Sequence, residues 1–281
     1  MKRFQLLIMM LLGAFSLHAQ GIVMPFLAID RNPVTLAMGG TRITDGLYNS
    51  AAIPFTNNDI SLSYQHWAPK TAKASHINLA GIYNIKGKIG ISARAALQLA
   101  DPVNDYTPKE YIAGIGVGYA FTKNLSAGVN FRYAAQQLYT DISYHAFSAD
   151  IFLLYRWKTL MVSAGIASIG PSVKSGENSY PLPASIKAGA SYTLPFGLRL
   201  AGDFDYYVSG GLGTALGLQY GWQDTLFARA GYHYGFQKAP VPSFLSLGIG
   251  AKFFGFHIDL CYMTASKTLN NTLTLGLGYA F

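Results

Sequence analysis

Beyond its N-terminal apolar stretch the chain carries His66, His76, His145, His233 and His257 as its best-suited acid–base side chains, and they are scattered over separate segments. They stand in no recognisable nucleophile motif, and none repeats at the His-x-x-x-His spacing of a metal site. Cys261 is the single cysteine, so it has no internal disulfide partner and makes no thiolate site alone. The glycines alternate within apolar segments and form no phosphate-binding loop. This pattern argues against an enzyme and offers no metal or cofactor site. The chemistry that remains is charge pairing. Arg94, Glu110, Arg132, Asp150, Lys187, Arg199, Asp203, Asp205, Arg229, Lys252 and Asp259 mix both signs and fall on the polar side of alternating segments. Charges enclosed in a narrow interior need partners, so ion pairs across that interior are their expected role.

The elements that position these charges follow from a period of two. From Asp59 onward the chain divides into about fourteen segments of roughly ten residues, the length a tilted membrane strand requires. Ile77, Leu79, Gly81, Tyr83 and Ile85 form one apolar stripe; Leu125, Ala127, Val129, Phe131 and Tyr133 form another, and the last runs from Leu273 to Phe281. No charged residue falls on these faces. Because a lipid-facing Lys or Arg costs about 2 to 4 kcal/mol at the bilayer midplane, that absence predicts hydrocarbon contact. Charged residues make up 12% of the chain, about half the soluble norm, yet no later apolar run is long enough for a membrane helix. A chain that spans without helices must close its sheet. The expected fold is therefore all-β, a transmembrane antiparallel barrel of about fourteen strands.

Connections alternate between tight turns such as Lys86-Gly87, Gln223-Asp224 and Phe254-Gly255 and longer loops such as 101–108, 170–183 and 237–243. In bacterial barrels the short turns are periplasmic and the long loops extracellular. Tyrosine, phenylalanine and tryptophan gather near the segment ends as two interfacial girdles. Tyr279 and Phe281 end the chain as an aromatic pair that reads as the C-terminal insertion signal for the barrel-assembly machinery.

Lys2 and Arg3 followed by apolar residues 4–17 read as a secretory signal peptide over 1–19, cleaved after Ala19, which directs the chain to the cell outer membrane. Residues 59–281 form the barrel. Between them, residues 20–58 carry apolar side chains that need a surface to cover. They are expected to form a hatch or plug in the barrel, the alternative being a tail packed beneath it. The lumen-side glycines, Gly114, Gly116, Gly118, Gly217, Gly221, Gly231, Gly235, Gly248, Gly250, Gly276 and Gly278, mark places where something approaches the wall closely. The net charge is +8, two of which belong to Lys2 and Arg3. The remainder is too scattered for nucleic acid.

Several stretches resemble the PorV/PorQ family: 24–30 (Met-Pro-Phe-Leu-Ala-Ile-Asp), 36–40 with Met38, Gly39 and Gly40, 48–52 with Asn49 and Ala51, 62–67, and 180–192. The family is similar to the long-chain fatty acid transporter FadL in having a fourteen-stranded barrel with an N-terminal hatch. Its named members belong to the type IX secretion system of Bacteroidetes. The resemblance implies an accessory or interaction component of protein secretion, with loop 170–183, through Lys174 and Glu177, facing secreted proteins or secretion components. The alternative is a FadL-like passive transporter of hydrophobic small molecules. The family's Asn-Pro-Ala reads Asn49-Ser50-Ala51 here, and the loops are short for the family. Outer-membrane lipid is the remaining expected partner.

Overall fold

Alternation dictates the architecture, because each strand offers one face to hydrocarbon and the other to an interior. A computed structural model describes residues 23–67, 73–102, 106–139, 142–175, 177–236, 238–266 and 268–281; the signal-peptide assignment lies outside them. The strands are β1 (Asp59–Trp67), β2 (Ala74–Ile85), β3 (Ile89–Ala100), β4 (Lys109–Ala120), β5 (Leu125–Tyr139), β6 (Ile142–Trp157) and β7 (Leu160–Ile169). After them come the short β8 (Val173–Ser175) and β9 (Asn178–Tyr180), then β10 (Ser185–Thr193), β11 (Leu198–Tyr207), β12 (Leu212–Trp222), β13 (Leu226–Gly235), β14 (Phe244–Phe253), β15 (Phe256–Thr264) and β16 (Thr272–Ala280). With β8 and β9 set aside as a separate hairpin, the other strands close a fourteen-stranded antiparallel barrel in which β7 pairs with β10 and β1 with β16. Asp59 lies opposite Ala280 and His66 opposite Leu273. No sheet edge remains open at this seam.

The outer face is apolar throughout its height. Ile115, Phe147 and Ile249 are 65%, 68% and 62% exposed, which a water-facing sheet would not tolerate over so large an area. At one end the strands join by tight turns with left-handed residues, such as Lys86 (φ 53°) with Gly87 (φ 67°) and Phe254 (φ 49°) with Gly255 (φ 84°), the geometry that matches strand twist in a two-residue hairpin. The longer connections lie at the other end. Segment 170–183, read from the sequence as a loop, contains the β8–β9 hairpin. Val173 is buried there with Leu182 against Met24, Phe26 and Leu27.

Residues 23–58 run through the barrel from the long-loop end to the short-turn end. Val23 donates its main-chain N–H to the Pro181 carbonyl (3.2 Å) at the first end, and Asn84 on β2 donates to the Pro54 carbonyl (3.2 Å) at the second. Between these points lie a 3-10 turn (Pro25–Ala28), helix α1 (Pro33–Ala37) and a second 3-10 turn (Ser50–Phe55). Asn32 caps α1 by accepting the Val34 N–H at 2.9 Å, with Pro33 at the first helical position, where its missing N–H costs nothing. Gly39 and Gly40, at φ +74° and +84°, end the helix in the left-handed region that glycine alone enters freely.

The wall is notched to receive this segment. At Gly118 an added Cβ would strike the Ser50 carbonyl, at Gly128 the Ala51 main chain, and at Gly231 the main chain of Met38 and Gly39. The same holds for Gly217 against Met38, Gly248 against Ala37 and Gly276 against Pro33. Contact with the hatch explains these glycines, and a side chain at any of them would hold the hatch off the sheet. Gly114, Gly221, Gly235, Gly250 and Gly278 face side chains or main chain of the wall and its loops instead.

Candidate functional site

Several polar fastenings hold the hatch to the wall. Asp203 on β11 accepts the main-chain N–H groups of Arg42 (2.6 Å) and Ile43 (2.9 Å) on one carboxylate oxygen. Gly39 N–H reaches Ser246 Oγ at 3.1 Å. Asn49, fully buried, caps the second 3-10 turn through the Ala51 N–H (2.9 Å) and donates its amide to the Ile43 carbonyl (2.6 Å) and Ser163 Oγ (2.9 Å). Ser50, which stands where the resembling family has proline, bonds Asn130 and lies 3.2 Å from Ser92 Oγ. Proline could make neither contact. Met38 and Ala51 contribute burial rather than bonds from their side chains.

Replacing Asp203 by alanine strands two main-chain donors, and bonds to a charged acceptor contribute about 1.5 to 3 kcal/mol each. Limited trypsin digestion of the folded protein is therefore expected to cut after Arg42 at least about tenfold faster in Asp203→Ala. An unchanged cleavage rate would mean that Asp203 is not a fastening.

The lumen charges pair along the wall, not across the interior as the sequence suggested. Arg132 on β5 pairs with Asp150 on β6, Lys187 on β10 with Asp205 on β11 (2.5 Å), and Arg229 on β13 with Asp259 on β15 (2.7 Å). The hatch occupies the centre, so opposite walls cannot meet. Other charges bond neutral groups. Arg94 donates to the Tyr48 carbonyl (3.1 Å), Arg199 to Thr44 Oγ1 (3.4 Å), and Glu110 accepts from Gln136 (2.8 Å). Lys252 sits in register opposite His257. His257, to which the sequence assigned no partner, bridges Asp259 (2.9 Å) and Asp59 (3.0 Å). Its place on the lumen side of β15 was legible from alternation; its bond to Asp59 was not, since 198 residues separate the two.

A cavity of about 210 Å³ lies between the hatch and the wall of β1–β5, β15 and β16. Leu27, Ile29, Ala80, Ala96 and Ile112 supply apolar lining, and Arg31, Arg42, Arg94 and Arg132 supply guanidiniums. Tyr48 stands among them, with Arg42 4.4 Å and Arg94 5.8 Å from its ring centre.

Arg132 also lines a groove in the outer wall with Phe131, Tyr133, Phe147, Ile169 and Gly170. The β6–β7 register shifts beside it, between Ala149 and Ile151. Ser168 takes a left-handed φ of 57° there, and its N–H donates to Asp150 at 2.8 Å. Arg132 thus contributes atoms to the inner cavity and to the outer groove.

Lys174 and Glu177 are exposed on the β8–β9 hairpin, away from this cavity. Tyr279 and Phe281 lie on the outer face at the seam, their rings stacked at 5.9 Å. Phe281 N–H closes onto the Asn58 carbonyl at 3.1 Å.

No protein-family model and no curated protein matches the chain. Among solved structures the chain is similar to the CymD monoaromatic hydrocarbon channel, at 14% identity and a TM-score of 0.65 over 89% of this chain and 97% of that one. It is also similar to the Pseudomonas putida toluene transporter TodX, at 14% identity and 0.61 over 90% and 98%. The deltaS2 mutant of the TodX monoaromatic hydrocarbon channel gives 0.63 at the same identity over 94% and 99%. At this identity the likeness is one of fold, a closed barrel matched over nearly its whole length.

Proposed function

We propose that the chain is an outer-membrane channel for small, largely hydrophobic molecules, with residues 23–58 as its hatch. The observation that carries this reading is the cavity of about 210 Å³ between hatch and wall, partly apolar in its lining and enclosed by a barrel whose outer face is apolar. The apolar exterior supports an outer-membrane location and the lipid contact that goes with it. The channel names of the similar structures support the same reading, although they describe those proteins. The secretion-associated role, placed first on the N-terminal resemblance, rests on that resemblance alone. The stretches that carry it, around Met38 to Gly40 and Asn49 to Ala51, are engaged in seating the hatch. The buried Val173 and Leu182 turn the 170–183 segment inward over the hatch.

Expression in a Gram-negative strain lacking its own hydrocarbon channels tests the proposal. Uptake of at least one of radiolabelled toluene, benzyl alcohol and benzoate is expected to rise several-fold over empty vector. Uptake of all three no higher than with empty vector would overturn the channel reading.

A further inference from the structure

An uncharged hydrocarbon has no use for the guanidiniums that line the cavity. Among the described residues Arg31, Arg42 and Arg94 reach no carboxylate within ion-pair distance. Their guanidiniums bond only main-chain carbonyls: Arg31 those of Phe26 and Ile29 (both 3.2 Å), Arg42 that of Ala28 (2.7 Å), Arg94 that of Tyr48 (3.1 Å). Arg31 and Arg132 are only 8% and 4% exposed, and each keeps a buried Nε with no partner.

The acids on the same lining are otherwise occupied. Asp30 accepts the N–H groups of Arg31 and Asn32 and the Thr35 hydroxyl, and Asp45 accepts the Leu47 N–H. Asp59 and Asp259 share His257, Asp259 also holds Arg229, and Asp59 keeps one buried oxygen without a partner. Apart from that one acceptor, what is left over is donor capacity beside a partly apolar wall. Buried, unneutralised guanidiniums are costly unless something completes them, and their planar fork matches a carboxylate.

We infer that the cavity is a binding site for a small aromatic carboxylate, its carboxylate held by Arg31 and Arg94 and its ring set against Leu27, Ile29 and Ile112. The size agrees. A cavity of about 150 Å³ takes up benzene, so 210 Å³ holds a ring with a carboxylate attached. The inference deepens the channel reading by naming the solute class, and it relies on that reading only for how the solute arrives.

Calorimetric titration of the full chain, purified in detergent, separates the two. Benzoate is expected to bind at least tenfold more tightly than benzyl alcohol, and inorganic phosphate more weakly than benzoate. Arg94→Gln is expected to lower benzoate affinity tenfold or more, to leave benzyl alcohol unchanged, and to be partly rescued by Arg94→Lys. Should Arg94→Gln lose its heat-modifiable band in SDS gels, Arg31→Gln takes its place; the comparison of the three ligands needs no variant. Equal affinity for benzoate and benzyl alcohol, phosphate binding as tight as benzoate, or benzoate affinity untouched in a folded variant would each overturn the inference. Toluene uptake without benzoate preference would leave the channel standing and remove the carboxylate site. Benzoate binding without uptake of any solute would do the reverse.

Discussion

Gly231→Val is expected to abolish the heat-modifiable form of the barrel, whereas Gly81→Ala is expected to leave it intact. At Gly231 a Cβ would run into the main chain of Met38 and Gly39, with Gly39 Cα only 2.7 Å away. Overpacking a core typically costs about 1 to 3 kcal/mol because side chains can shift; a main-chain obstacle cannot shift in the same way. A Cβ on Gly39 itself would fall 2.7 to 2.8 Å from the Tyr232 and Leu216 carbonyls, so the hatch main chain lies flush against the wall on both sides of the contact. The cost therefore falls at or above the upper end of that range, a large part of the roughly 5 to 15 kcal/mol that typically separates folded from unfolded chains. Gly81 faces outward, and a Cβ there would meet its nearest atom at an ordinary 3.6 Å. Semi-native electrophoresis of the two variants decides the matter. A folded Gly231→Val barrel with normal hatch protection would mean the notch is not a seat.

The second large effect is expected at Asp150. Its carboxylate holds Arg132, accepts the Asn130 amide at 3.3 Å and receives the Ser168 N–H at 2.8 Å, all out of contact with solvent. Asp150→Ala leaves a buried guanidinium without its counter-charge, a change that costs about 3 to 5 kcal/mol. The urea midpoint of the folded band should fall accordingly. The double variant Arg132→Met with Asp150→Leu should recover much of the loss, because an apolar pair of similar volume carries no unpaired charge. If the single variant unfolds at the wild-type urea concentration, the pair does not brace the β6–β7 shift.

The barrel was legible in the chain because its two faces obey different solvents. Ile77 to Ile85 and Leu125 to Tyr133 alternate without a charge on the outer side, and every such segment became a strand joined through the expected tight turns. The hatch was legible only as a need. Its apolar residues had to be covered, and glycines such as Gly118 and Gly231 announced close approach, but no local period says that Ser50 meets the one and Gly39 the other. The direction of charge pairing failed for a related reason. Arg132, Lys187 and Arg229 were visible as lumen residues; that their partners lie along the wall depends on the hatch filling the centre. Of the cavity guanidiniums Arg94 and Arg132 were visible as lumen residues, while Arg31 and Arg42 escaped notice because they belong to the segment without periodicity. The β8–β9 hairpin is too short for alternation to reveal.

Residues 23–58 lead directly into β1, and β1 is the strand that meets β16. The filling and one margin of the join are therefore a single stretch of polypeptide, and the glycine seats lie on strands from both halves, so a shift of the internal segment would pull on the seam and on both walls at once.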